Sequence, residues 1–145
     1  MEGRGWRGVA PAVGVGSLSA MGQITSFRKL VAYRQSVREA KRLFDLTASW
    51  PKEERYALTD QVRRSSRAVG ALIAEAWGRR RYQTAFAEKL TQALAEANET
   101  QAWLDHARLC GYLDDETYRA LDDEWQGVGG RINRMIQRAD RFVER

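Results

Sequence analysis

The chain has 145 residues, enough for one domain with its own core, and 24 Lys and Arg residues against 19 Asp and Glu give it a net charge of +5. No apolar run approaches the roughly 18 residues of a membrane-spanning helix, and the single cysteine excludes an intramolecular disulfide and fits a reducing cytoplasm. Residues 27–82 carry a net charge of +8, whereas residues 83–145 carry −4. This asymmetry indicates an anionic partner, usually nucleic acid, and the alternative is a solvated surface with ion pairs to neighbouring subunits.

Residues 1–25 are rich in Gly, Ala, Val and Ser without any period, and we expect them to form a disordered tail. Residues 26–145 are predicted to form one folded domain. Strong helix formers dominate it, and the alternating pattern of a half-buried strand does not occur.

The helix signals follow in chain order. The first predicted helix covers residues 26–48, with Ser26 or Thr25 as its cap, and the second covers 51–77, with Gly78 as the residue just past its end. The third covers 84–110 and stops at Gly111. The fourth follows a cap at Asp114 and continues to residue 142.

Each predicted helix repeats apolar or small residues at spacings of three and four, which should face a shared core. The first helix places on this stripe Phe27, Leu30, Val31, Val37, Ala40, Leu43 and Phe44. The second has Leu58, Val62, Ser65, Val69, Leu72 and Ala76, and Ile73 broadens it. The third has Phe86, Leu90, Ala93, Ala97, Thr100, Leu104 and Ala107. The fourth has Tyr118, Leu121, Trp125, Val128, Ile132, Met135, Ala139 and Phe142. Four long helices with short links predict an all-α, antiparallel up-down-up-down four-helix bundle.

Arginines cluster in the second helix, just after it, and along the fourth. Guanidinium groups suit phosphate because they donate two parallel hydrogen bonds and keep their charge. The candidate nucleic-acid-binding residues are Arg63, Arg67, Arg79, Arg80, Arg81, Arg131, Arg134 and Arg138, and the last three belong to a stripe that continues through Arg141 and Arg145. Phosphate contacts of this kind predict salt-sensitive binding with little sequence selectivity.

The alternative is that some of these arginines pair with carboxylates within or between subunits. We expect Arg64 and Glu75 to form a structural pair of this kind. Trp77 and Trp103 lie near helix ends or stripe edges, and we expect them in the core or at a subunit interface. For Trp77, which lies beside the arginines, stacking on a nucleobase is the alternative.

No catalytic constellation is present in the sequence. His106 and Cys110 share a helix face four residues apart, but two ligands do not make a metal site. No second histidine exists for a triad or a zinc-protease motif, and the glycine motifs that bind phosphate are absent. We therefore expect no enzymatic activity, no cofactor and no metal.

Several short motifs of the sequence, in their order and spacing, resemble those of a bacterial four-helix bundle family named after the 23S ribosomal RNA intervening sequence. That family includes the accessory variability determinant of diversity-generating retroelements. The resemblance covers residues 27–143, and the matching motifs are Leu46-Thr47, Trp50 to Leu58, Gln61 to Ser66, Ile73 to Arg79, Asn98 to Gln101, Trp103-Leu104 and Leu109 to Leu113. The chain departs from the family at Leu72, where an asparagine is usual, and at Arg67, where an apolar residue is usual.

The resemblance implies a bundle that assembles as a ring-shaped homopentamer without enzymatic activity. For the retroelement branch it implies binding to a reverse transcriptase and, through basic surfaces, to RNA or an RNA/DNA hybrid. For the intervening-sequence branch the resemblance implies no defined role, and the alternative hypothesis for this chain is a protein-interaction scaffold of that type whose arginines contact partner proteins or other subunits.

Overall fold

The computed structural model describes residues 24–143, which fold into four α-helices and contain no strand. The helices are α1 (Val31–Thr47), α2 (Leu58–Gly78), α3 (Gln83–Leu109) and α4 (Asp115–Gln137), and short 3₁₀ helices cover Phe27–Lys29, Lys52–Glu54 and Ala139–Arg141. Each helix packs against the next one in the chain, and α4 closes the bundle against α1. The predicted antiparallel four-helix bundle is therefore confirmed.

The predicted tail, residues 1–25, lies outside the described residues except for its last two. Ile24 is half-buried against the core, so contact with the bundle begins slightly before the predicted boundary. None of the helices within residues 24–143 is long and apolar enough to cross a bilayer.

The first two helices are shorter than predicted because each starts with a separate 3₁₀ turn. Leu30 is extended (φ −70°, ψ 129°) and separates the turn capped by Ser26 from α1. Ala57 (φ −124°, ψ −108°) interrupts the second predicted helix in the same way, so α2 begins seven residues after Pro51. The first apolar stripe continues from Phe27 across Leu30 into α1, so the pattern did not reveal that break, whereas the second stripe begins only at Leu58, where α2 starts.

The end of the third helix and the start of the fourth lie close to the predicted stop and cap, whereas α4 ends at Gln137, before the predicted residue 142, and a separate 3₁₀ turn follows. Gly111 has φ +78°, and the amide of Tyr112 closes the end of α3 by donating to the carbonyl of Ala107 at 2.9 Å. The Asp114 carboxylate accepts from the amide of Thr117 at 2.7 Å, and this hydrogen bond lowers the pKa of Asp114. Gly78 was predicted to lie just past the end of the second helix. This prediction was wrong, since Gly78 is the last residue of α2 and has no positive φ.

The core follows the predicted stripes, with six exceptions: Phe27, Val31, Leu72 and Tyr118 are only half-buried, and Val37 and Phe44 are exposed. Every predicted stripe residue of α3 is buried, and so is the α4 stripe from Leu121 to Phe142. In α2, Ile73 is buried as predicted, whereas Leu72 is only half-buried. In α1, Val37 and Phe44 were predicted to be buried but are 40% and 36% exposed. These two side chains lie on an outer face that the single chain covers only in part.

Two groups of polar side chains lie inside the bundle. The hydroxyls of Ser65 and Thr100 are 2.9 Å apart between α2 and α3. Glu39 of α1 is buried, and its carboxylate lies 3.4 Å from the guanidinium groups of both Arg38 and Arg42. Burial, reinforced by the nearby charge of Glu124, raises the pKa of Glu39.

Candidate nucleic-acid interface

The antiparallel arrangement gathers basic residues at one end of the bundle. This end holds the start of α1, the α2–α3 turn and the end of α4: the Phe86 and Phe142 rings stack 5.4 Å apart, and Arg131 of α4 contacts Gln35 near the start of α1. We call it the basic end and define it as residues 24–36, 70–95 and 128–143. It carries eleven Lys and Arg against three Asp and Glu, a net charge of +8.

The opposite end is marked by Tyr112, whose hydroxyl donates to Glu54 at 2.8 Å and whose pKa this hydrogen bond raises to about 12. The remaining described residues, 37–69 and 96–127, carry ten basic and fourteen acidic side chains. Residues 96–127, which we call the acidic segment, carry two against nine. Because two helix N-termini and two C-termini meet at each end, the helix dipoles largely cancel and the charge separation comes from the side chains.

The α2–α3 turn presents Arg79 and Arg81 to solvent. Both are exposed, and neither side chain has a hydrogen bond or ion pair within residues 24–143. Arg80 folds back instead: its guanidinium lies 4.0 Å from the centroid of the Trp77 ring and donates to the Trp77 carbonyl at 2.9 Å. Two of the three predicted phosphate ligands in this turn are therefore available.

The arginine stripe of α4 reaches the same end. Arg131 is tied to α1, because its Nε donates to the Gln35 side chain at 3.1 Å, and burial lowers its pKa. Arg134 is exposed and Arg138 half-buried, and neither has an ion-pair partner among the residues that the structure describes. Arg141, in the last 3₁₀ turn, is exposed as well, whereas Arg145 lies outside the described residues.

Arg63 and Arg67 lie nearer the start of α2, outside the basic end. Arg63 donates to the Thr47 hydroxyl at 2.9 Å and to the Phe44 carbonyl at 3.1 Å, so its guanidinium joins α2 to α1. Both arginines also cover the Phe44 ring, at 4.2 Å for Arg63 and 4.8 Å for Arg67. Arg63 therefore has a structural role that its position on the helix did not reveal, and Arg67 remains exposed.

Within one chain, the predicted pair of Arg64 and Glu75 is wrong. The two residues are eleven positions apart on α2, about 16 Å along the axis. Arg64 lies 3.8 Å from Asp60 instead, and Glu75 lies 3.5 Å from Lys89 of α3.

The two predicted interface tryptophans differ in their surroundings. Trp77 is only 9% exposed and belongs to the core, which leaves too little of its ring free for stacking on a base. Trp103 is half-buried, and its indole N–H donates to Glu99 at 3.0 Å.

The structure adds a residue that the sequence analysis missed. Tyr82 directly follows the three arginines, precedes α3, and is 67% exposed. A local signal existed, because an aromatic residue between a basic run and a helix start has no place on either apolar stripe.

A shallow apolar groove of about 410 Å³ runs between α1 and α2 beside Val37. Gly70 forms part of its floor, because a Cβ there would lie 3.2 Å from the Val37 side chain. Phe27 and Tyr33 line one part of it, and Lys41 and Arg67 add positive charge. The groove combines an apolar floor with cationic edges.

Comparisons with known proteins place the chain among related sequences. The sequence model of the 23S rRNA-intervening sequence protein family matches residues 28–134. The chain is also similar to the crystal structure of a protein of unknown function from the S23 ribosomal protein family of Bacteroides thetaiotaomicron VPI-5482. The two chains are 28% identical with a TM-score of 0.67, over 74% of this chain and 96% of the other. A comparison with curated proteins gave no match.

Proposed function

The chain belongs to the 23S rRNA-intervening sequence protein family, and we propose that it is a non-enzymatic, cytoplasmic bundle that binds nucleic acid through its basic end. The observation that carries this proposal is the net charge of +8 at that end, with exposed arginines that have no partner within residues 24–143. Unpaired guanidinium groups are the side chains best suited to phosphate.

The set of phosphate-binding residues in this proposal is smaller than the set that the sequence alone predicted. Arg79, Arg81, Arg134 and Arg138 form the core of the phosphate-binding set, and Arg141 joins them. Arg63, Arg80 and Arg131 each make contacts within the chain, so we assign them to holding the fold and shaping the surface.

The ligand in this proposal is structured RNA or an RNA/DNA hybrid, bound with little sequence selectivity. Its finer form is the retroelement branch of the family, in which the protein assists a reverse transcriptase. A reverse transcriptase gene beside this one would support that form, and a position within a ribosomal RNA intervening sequence would support the other branch.

The first experiment measures mass by light scattering on nuclease-treated protein, with and without a structured RNA, at about 50 and about 300 mM salt. We expect the protein to gain RNA mass only at low salt. The double variant Arg79→Ala/Arg81→Ala should weaken binding and reduce the slope of log affinity against log salt by about two, one per lost phosphate contact.

The matched control is Arg55→Ala/Arg119→Ala, which removes the same charge from two exposed arginines outside the basic end. It should leave the affinity nearly unchanged. Equal losses for the two double variants would show that only net charge matters, and no salt-dependent binding to any RNA or DNA would refute the proposal.

A second candidate function is a protein scaffold that assembles with copies of itself. It is favoured by the apolar groove with cationic edges and by the acidic segment, whose net charge of −7 complements them. A contact between unlike surfaces of successive subunits generates a ring when the rotation closes. We propose that the chain is a homo-oligomer of this kind, with the five subunits that the family resemblance implies.

A further inference from the structure

Tyr82 stands apart from the other aromatic residues of the basic end. Trp77 is buried beneath Arg80, and Phe27 packs edge-on against Tyr33 with ring centroids 4.9 Å apart. The Tyr82 ring is 67% exposed, and its side chain makes no ring contact or hydrogen bond within residues 24–143. Its backbone is extended (φ −118°, ψ 119°) and carries the side chain at the start of α3.

The fold does not account for this exposure. The backbone of Tyr82 is used, since its carbonyl accepts from the amide of Phe86 at 3.0 Å, but any residue except proline could supply that backbone. An exposed ring of this size leaves apolar surface in water that a polar residue would not. The ring itself is therefore free for a ligand.

The charges around Tyr82 indicate which ligand. Arg81 is adjacent and Arg79 lies three residues before it, both exposed and without partners in the described part of the chain. Tyr56, 87% exposed near the opposite end, has a neighbouring arginine too, but Glu53 and Glu54 come just before it. Of these two tyrosines, only Tyr82, in the α2–α3 turn, combines an exposed ring with an excess of positively charged neighbours.

We propose that the basic end binds unpaired nucleotides, with one base stacked on Tyr82 and the flanking phosphates held by Arg79 and Arg81. This inference rests on the proposed nucleic-acid function and narrows its ligand class. Bases inside a duplex are already stacked on each other, so a side chain outside the duplex cannot reach their faces. Single strands, loops and bulges expose those faces, and aromatic rings are the usual platform for them.

The test compares the binding of fluorescently labelled RNAs to the full chain by anisotropy. One RNA is a single strand of about 16 nucleotides, the upper site size of common single-strand binding folds, and the other is a blunt duplex of the same length. We expect the wild-type protein to prefer the single strand. Tyr82→Ala should lose about 5- to 100-fold in affinity for it, the cost of one stacked base, and little for the duplex.

Two further variants make this result specific to stacking. Tyr82→Phe keeps the ring and should retain the wild-type affinity, whereas Tyr56→Ala removes a tyrosine that is even more exposed and should change nothing. Because tyrosine is neutral, Tyr82→Ala should also leave the salt slope unaltered.

The possible failures are distinguishable. If Arg79→Ala/Arg81→Ala weakens binding but Tyr82→Ala does not, or if the duplex binds more tightly than the single strand, the unpaired-nucleotide inference is wrong and the proposed function stands. If neither RNA binds at any salt concentration, both are wrong.

Discussion

Glu39 is a carboxylate buried in a helical bundle, and its effect on the stability of the folded protein depends on pH. Burial and then the charge of Glu124 raise its pKa above the ordinary value of 4.5, although Arg38 and Arg42 oppose this. The folded protein therefore binds a proton at Glu39 more readily than the unfolded chain does. An ionised Glu39 thus reduces stability at neutral pH, and the reduction disappears as pH falls through the raised pKa and below 4.5.

Glu39→Gln should accordingly be more stable than the wild-type protein at about pH 7 and no more stable at about pH 4. The amide keeps an oxygen for the arginines, and Arg38 retains its ion pair with Glu124 at 3.3 Å. Thermal midpoints of both proteins, recorded at matched concentration across this range, give the result. A difference that does not change with pH would show that ionisation of Glu39 is not its origin.

At the scale of the element, two glycines that end helices differ in backbone conformation. Gly111 has φ +78°, where a Cβ costs about 1–2 kcal/mol, whereas Gly78 is still helical. A Cβ at either position would meet no atom within 4 Å, so packing contributes to neither effect. Substitutions at the two sites therefore differ only in the effect of backbone conformation on the free energy of unfolding.

Gly111→Ala should lower the free energy of unfolding by about 1–2 kcal/mol, and Gly78→Ala should raise it by about 0.4–1 kcal/mol. Urea unfolding at one protein concentration measures both. Each variant is the control for the other, since they make the same chemical change at a helix end. Destabilisation by both would contradict the helical conformation of Gly78.

The helices also show how far the sequence predicts the fold and where it stops. In α3 all seven stripe residues are buried, because that helix packs against neighbours along its whole length. In α1 the same reasoning placed Val37 and Phe44 in the core. A stripe reports which residues avoid water, but it does not say whether they avoid it within one chain or between chains.

Side-chain function was harder to predict than burial. Arg63 and Arg79 look alike in the sequence, yet Arg63 reaches Thr47 across the α1–α2 interface and Arg79 reaches nothing within the described residues. Only the packing of two helices distinguishes them. Tyr82 was not predicted as a site residue, because it lies in a turn and apolar periodicity identifies only residues within helices.

At the scale of the whole molecule, charge and apolar surface lie on different parts of the bundle. The basic end carries +8, the acidic segment −7, and the groove beside Val37 is apolar with Lys41 and Arg67 at its edges. Identical copies of such a molecule can associate by placing the acidic segment of one on the groove of the next. The basic ends would then remain free, and every copy would present one to the same ligand.

Val37→Lys tests this arrangement, because a charge in the groove would repel its cationic edges and remove apolar contact. We expect the mass measured by light scattering to fall to that of the 16.5 kDa single chain, with circular dichroism unchanged. Tyr56→Lys is the matched control, since it places the same charge at an aromatic side chain that is 87% exposed and lies outside both the groove and the acidic segment. An oligomer that survives Val37→Lys would exclude the groove as the subunit interface. Loss of the oligomer with retained RNA binding would separate the two proposed activities, because the ligand-binding arginines lie on another part of each chain.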